Sequence, residues 1–232
     1  MKQQNKNAPQ ICTPLRQNTL PMPQACFSAS GIIIYGRCIK SLVFTTDVAV
    51  IRNCDADAVF AVYPFSPQQA ISDAIIKGSC IPVFAGVGGG TTKGARTVSL
   101  AKDVEMQGAM GVVLNAPISD DNLRDVAEVV DIPIVITVIK EDTDIQARLN
   151  AGASILNVAG AQRTPDIVRS IRDRFSHVPI IASGGNTEEA VQKTINAGAN
   201  AITYTPPTTQ ELFSAMMTKH QILCHESKKE IQ

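Results

Sequence analysis

The chain has 232 residues, of which 44% are hydrophobic and 18% charged, enough for one domain with a large core. Lysine plus arginine and aspartate plus glutamate number 21 each, so the formal charge is zero. Nothing in that balance draws the protein to nucleic acid or to an anionic membrane. Aromatics make up 4%, which also argues against stacking on bases. The longest apolar runs, such as Ile132–Ile139, are far too short to span a bilayer. Six cysteines (Cys12, Cys26, Cys38, Cys54, Cys80, Cys224) show no C-x-x-C pair, a spacing that suits neither a zinc site nor a disulfide scaffold. Reduced thiols in a cytoplasmic protein are therefore the expectation. No apolar stretch follows Met1–Lys6, so no signal peptide is expected.

Residues 1–30 are rich in Gln, Asn and Pro without periodicity and read as an N-terminal arm. Gly31–Lys40 is apolar, either an extra helix capping a barrel floor or a short strand. From Ser41 a rhythm sets in. Strand candidates are Ser41–Thr46, Ala58–Tyr63, Ile81–Ala85, Met110–Asn115, Ile132–Ile139, Ser154–Ala159, Val178–Ala182 and Ala201–Thr205. All are continuous aliphatic or β-branched runs, the pattern of parallel strands buried on both faces.

Helix patterns with explicit starts lie between them. Ser66-Pro67-Gln68-Gln69 combines an N-cap, a proline at N1 and a capping-box glutamine. Thr164-Pro165-Asp166 repeats that logic, Asn186 with Glu189 forms another start, and Thr208 with Glu211 a capping box. Gln107-Gly-Ala, Asn150-Ala-Gly-Ala and Asn196-Ala-Gly-Ala each place a glycine stop just before a strand. Strand and helix alternate eight times, which predicts a single (β/α)8 barrel over 31–220 with a polar tail at 221–232. An open doubly wound sheet is the alternative. The barrel is favoured because no strand reads as a polar edge.

Over residues 132–209 the phrases Ile-Pro-Ile-Val-Ile, Asn-Ala-Gly-Ala and Ala-Ser-Gly-Gly resemble the phosphate-binding (βα)8 barrels. That group includes aldolases of the keto-deoxy-phosphogluconate type, thiamin-phosphate synthases and flavin-mononucleotide barrels of the nitronate monooxygenase kind. A second, local likeness joins Ile81–Thr92 with Gly111–Pro117. It looks like the central part of the dihydrodipicolinate-synthase type of lyase. The class I aldolase mechanism does not carry over from either likeness. Asn157 stands where those aldolases carry the sixth-strand lysine, and Asn115-Ala-Pro117 replaces the tyrosine after the fourth strand.

In a barrel, function sits at the C-terminal ends of the strands. Those ends contain no histidine here: His177 precedes the seventh strand, and His220 and His225 fall in the last helix and tail. A His-based triad or zinc hydrolase is thus poorly supported, and no metal site is expected. Gly184, Gly185 and Asn186 would form half of a phosphate cup and Thr205 and Thr208 the other half. Pro206-Pro207 weakens that cup, because proline brings no N–H donor. The glycine-rich stretch Gly86–Lys93 lacks Walker spacing. It reads either as a mobile lid or as a carboxylate wrap through Gly88, Gly89, Thr91 and Thr92.

Lys140 could form a Schiff base if burial lowered its pKa. Period-two alternation with Thr137 inward gives Lys140 the opposite parity, however, and Glu141, Asp142 and Asp144 follow it. Taking the polar residue of each strand as inward places Tyr63, Asn115, Thr137, Asn157 and Thr203 on the pocket floor. Asp47 is either the general base beside them or the N-cap of the first helix.

The leading expectation is a lyase or isomerase acting on a small phosphorylated metabolite, with Asn115 and Asn157 holding an oxyanion and Asp47 moving a proton. A barrel holding flavin mononucleotide and a catalytically silent, ligand-binding barrel are the alternatives. A homo-oligomer is compatible with any of the three.

Overall fold

The computed structural model describes residues 19–218 together with Ile11 and Thr13. The N-terminal ten residues, Cys12 and the 219–232 tail, with its two histidines and Cys224, lie outside the described residues. A short antiparallel hairpin comes first, β1 (Ile32–Ile34) with β2 (Arg37–Ile39). Eight parallel strands follow: β3 (Ser41–Phe44), β4 (Ala58–Ala61), β5 (Val83–Gly88), β6 (Gly111–Leu114), β7 (Ile134–Val138), β8 (Ile155–Val158), β9 (Ile180–Ser183) and β10 (Ala201–Tyr204). Each pairs with its sequence neighbour, and β10 closes the ring on β3. This is the expected barrel, not an open sheet.

Alternation along the strands sorts side chains into two apolar bodies. Leu42, Phe60, Phe84, Val113, Val135, Ile155 and Ile181 point into the barrel. Val43, Val59, Val112, Ile136, Leu156 and Ile202 point outward and meet the helices α1 (Val48–Arg52), α2 (Gln69–Gly78), α3 (Ala95–Met106), α4 (Asp120–Ala127), α5 (Ile145–Asn150), α6 (Thr164–Arg174) and α7 (Glu188–Asn196). A last helix, α8, covers 209–218. The stops of α3, α5 and α7 fall as expected, with Gly108, Gly152 and Gly198 all at positive φ. No described helix is long and apolar enough to cross a membrane.

The 31–40 segment is the strand alternative, not a capping helix. Its Ile32, Ile34 and Ile39 join the interior cluster, so the hairpin plugs the barrel floor. Asp57 anchors it, its carboxylate accepting from the Lys40 and Ser41 amides at 2.8 and 3.0 Å. Helix starts differ by a residue or more from the sequence reading. Asp47, Ser119, Asp144 and Thr187 each cap with a side chain, so Thr187 rather than Asn186 begins α7. At α2 the Ser66-Pro67 signal is displaced: Gln68 occupies the cap position. Thr164 lies inside α6, where its hydroxyl accepts from the Gly160 amide.

The described part of the arm is integral to the core. Leu20 bridges to Cys54, and the Met22 amide donates to the Asp55 carboxylate at 2.6 Å. A 3-10 helix over Gln24–Ser28 then lies on α7, where Glu188 accepts from the Gln24 and Ala25 amides, each at 2.8 Å. Met22 and Cys26 enter the same apolar cluster as Ile51 of α1 and Val191 of α7. The arm therefore packs between α1, in the first unit of the barrel, and α7, in the seventh. Helix α8, by contrast, buries only part of Leu212 and leaves Phe213, Met216 and Met217 exposed.

Two outcomes follow for the arm. Met22 is 1% exposed, so Met22→Ala should lower unfolding free energy by about 2–5 kcal/mol. Denaturant melts showing less than about 0.5 kcal/mol would place the arm outside the folding unit. Burial, with Glu188 nearby, pushes the Cys26 thiol from 9.0 up to about 11. Its contribution to stability is full below 9 and lost as pH rises through 11. Near neutral pH Cys26 should resist thiol reagents while the exposed Cys38 and Cys80 label.

Candidate functional site

All strand C-termini open at one end of the barrel, where the last inward layer is polar along one arc. Asn115 follows β6, and Thr137, Asn157, Ser183 and Thr203 come from β7, β8, β9 and β10. The opposite arc is apolar, formed by Phe44 of β3, Phe60 of β4 and Val62 just beyond it. The two phenyl rings lie 6.1 Å apart, tilted by 30°. Between the arcs is a cavity of about 330 Å³, with Gly185, Asn186 and Thr205 at its upper edge. A second cavity of about 230 Å³ lies between Tyr63–Phe65 and the Gly88–Thr92 loop. Val62 and Asn115 line both.

A hydrogen-bond relay ties three strands together across the mouth. Asn157 Nδ2 donates to Thr137 Oγ1 at 3.2 Å, and Thr137 Oγ1 donates to Asn115 Oδ1 at 3.2 Å. Both ends of the relay lack a protein partner among the described residues. Asn157 is 5% exposed, yet its Oδ1 has no partner. No described residue accepts from Asn115 Nδ2. A buried acceptor without a donor costs free energy, so this atom marks where a ligand donor would be gained.

The glycine-rich stretch is pinned, not a free lid. Strand β5 runs on through Gly88, past the expected end at Ala85. Gly89 and Thr92 then bond to each other, the Gly90 amide donates to Pro117 O at 3.0 Å, and Thr97 Oγ1 donates to Thr92 O at 3.1 Å. Gly89 has φ +91°, and a Cβ there would overlap the Asn115 carbonyl. Only glycine lets the loop close on the end of β6. That contact fixes the Asn115 backbone, and with it the side chain shared by both cavities.

The sequence-expected residues divide clearly. Asn115, Thr137, Asn157, Gly185, Asn186 and Thr205 meet at the central cavity, and Tyr63, Gly88, Gly89 and Thr91 line the second. Tyr63 does not face the barrel axis as expected, because Val62 holds the inward position. Its hydroxyl instead accepts from the Gln68 amide at 2.9 Å. Gly184 is a packing glycine, since a Cβ would strike Ile202 and Val191. Thr208 is spent in the capping box of α8, where Glu211 Oε2 accepts from its amide and hydroxyl at 2.7 and 2.8 Å. Lys140 is exposed, off the inward parity, and lines neither cavity. Phe44, Phe60 and Val62 were missed by a rule that looked only for polar inward residues. Strict period-two counting from Leu42 and Ala58 would have found them.

Asp47 is a cap. Its Oδ1 accepts from the Ala49 and Val50 amides at 2.8 and 3.4 Å, and its Oδ2 accepts from the Thr209 hydroxyl. With both oxygens engaged outside the cavities, the general-base reading has no geometric support.

No family model and no curated protein matches the chain. Among solved structures it is similar to 2,3-dimethylmalate lyase, a member of the PEP mutase/isocitrate lyase superfamily, with a TM-score of 0.62 at 12% identity over 88% of this chain and 87% of that one. A phosphonopyruvate hydrolase complexed with oxalate and magnesium gives 0.57 at 13% identity, covering 82% of each chain. The dihydrodipicolinate synthase of Bacillus anthracis gives 0.57 at 14% identity, over 80% of this chain and 78% of that one. These likenesses establish the barrel fold. At these identities they show the fold and not the family within it.

The Asp47 cap has a pH signature. The Thr209 hydroxyl first, and then the two α1 amides, hold its carboxyl below the ordinary 3.8. The stability it supplies is complete above 3.8 and fades as pH falls through the lower folded value. Asp47→Ala should cost about 1 kcal/mol near neutrality, with the gap to wild type closing in strongly acidic denaturant melts. A gap that grows on acidification would contradict the cap.

Proposed function

We propose that the protein is an enzyme of the lyase or isomerase type, acting on a small carbonyl compound held at the barrel mouth. The open-ended Asn157–Thr137–Asn115 relay carries this reading. Asn115 Nδ2 would donate to the substrate carbonyl and stabilise the oxyanion that forms as a neighbouring bond breaks or a proton leaves. Among the described residues lining the two cavities, Tyr63 is the one titratable side chain. Its oxygen accepts from the Gln68 amide, which leaves the phenolic proton to be donated to substrate. The fold likeness to lyases supports the reaction class.

A substrate phosphate would meet Gly185, Asn186 and Thr205. Against it stand Glu188 and Glu189 in the first turn of α7, where an anion would otherwise be welcomed. The phosphate of flavin mononucleotide would face the same carboxylates. The magnesium bound in the phosphonopyruvate hydrolase complex does not fit here either. Among the described residues no group of three His, Cys, Asp or Glu side chains could hold a metal ion, and the mouth offers only amides and hydroxyls.

The reading is tested by incubating the protein in deuterated water with small carbonyl compounds, phosphorylated and not, and following C–H exchange or cleavage by NMR. Asn115→Leu and Tyr63→Phe should each slow turnover by about 10²-fold or more. Unchanged rates in both variants would refute the assignment. The lack of any carboxylate, histidine or lysine in the described lining favours a second reading, a ligand-binding barrel without turnover. Binding with no exchange for any compound is its signature.

A further inference from the structure

The two ends of the relay ask for opposite things. As bonded, Asn157 presents an acceptor and Asn115 a donor. Side-chain amides are often assigned in either orientation, yet the demand survives that choice. With the Thr137 hydroxyl donating within the relay, turning both amides over makes Asn157 the donor and Asn115 the acceptor, so in either direction of the relay one of each is left without a protein partner. The polar arc therefore reads a complementary pair on the ligand: one carbonyl and one N–H or O–H.

Three further observations narrow the ligand. No formal charge lines the central cavity among the described residues. An anion buried there would lose its water with no cation to replace it. Helix α7, which starts just past the lining residues Gly185 and Asn186, carries Glu188 and Glu189 in its first turn. Facing the relay, Phe44, Phe60 and Val62 form an apolar wall suited to the face of a flat ring. The volume, about 330 Å³, is at the small end of ligand pockets.

We infer that the mouth binds an uncharged, planar ligand bearing a carbonyl beside an N–H or O–H, of the cyclic amide or imide class, rather than a carboxylate or phosphate. The inference rests on the mouth being the ligand site and adds the class of compound it takes. The ring lies against Phe44 and Phe60, and its polar edge completes the chain Asn157–Thr137–Asn115.

The test uses the full-length chain and two sets of probes, followed by saturation-transfer NMR and by melting temperature. Uracil, hydantoin and succinimide represent the uncharged class. Inorganic phosphate, glycerol phosphate and pyruvate represent the anions. At least one cyclic amide should bind and raise the melting temperature, and the anions should not. Asn157→Leu should weaken that binding by at least about tenfold. It should melt no lower than wild type, since it removes an unpaired buried acceptor. Asn115→Leu, at the half-buried end of the relay, should weaken binding in the same way.

Anions binding in place of the amides would overturn the inference while leaving the mouth as the site. Binding of neither class would overturn both. Retained amide binding in both variants would remove the relay from recognition. An Asn157→Leu protein that melts well below wild type or does not fold, with Asn115→Leu binding normally, would make Asn157 structural and overturn the inference as well.

Discussion

Closing eight parallel strands into a ring takes both sheet edges away and turns every inward side chain from water. All eight strands show the result directly, filling the interior with Leu42, Phe60, Phe84, Val113, Val135, Ile155, Ile181 and Ala201. The β1–β2 hairpin covers the floor with three isoleucines that join the interior cluster. Polar groups in the top layer must then pair with one another or wait for a ligand. The relay does both: its middle is satisfied and its ends are not. Closure does not forbid charge at a mouth, but each charge would need a partner there. This chain has placed amides and hydroxyls instead.

Much of the fold was legible because the signals were redundant. Eight apolar runs, each bounded by a helix start or a glycine stop, leave few topologies open. The hairpin was harder to read. Its turn is Tyr35-Gly36, both at positive φ, where the usual sequence signal is Asn-Gly or Asp-Gly. Three consecutive isoleucines also satisfy a helix as readily as a strand. The cap of α7 was displaced by one residue because Asn186 and Thr187 are both good caps, and only the backbone geometry chooses between them.

At the site, the rule that polar strand residues face inward succeeded from β6 onward and failed on β4. Asn115, Thr137 and Asn157 share a parity that the barrel's shear brings into contact, so a local pattern delivered a long-range relay. On β4 the polar residue, Tyr63, is adjacent in sequence to the inward one, Val62. The role of Asp47 was undecidable locally. What settles it is Thr209, 162 positions further along the chain.

The arm that packs between α1 and α7 has a consequence for how the chain is made. Gln24 leaves the ribosome before Glu188, which lies 164 residues later and holds its amide. Met22 and Cys26 thus have no complete berth until α7 has emerged. Synthesis proceeds from the N-terminus at about 5–20 residues per second, so the berth is complete only roughly ten seconds or more after the arm has appeared. During that interval the growing barrel exposes the flank of α1, and the arm stays unpaired. The contact of the arm with α7 joins residues 164 positions apart, the kind of distant closure that slows folding most.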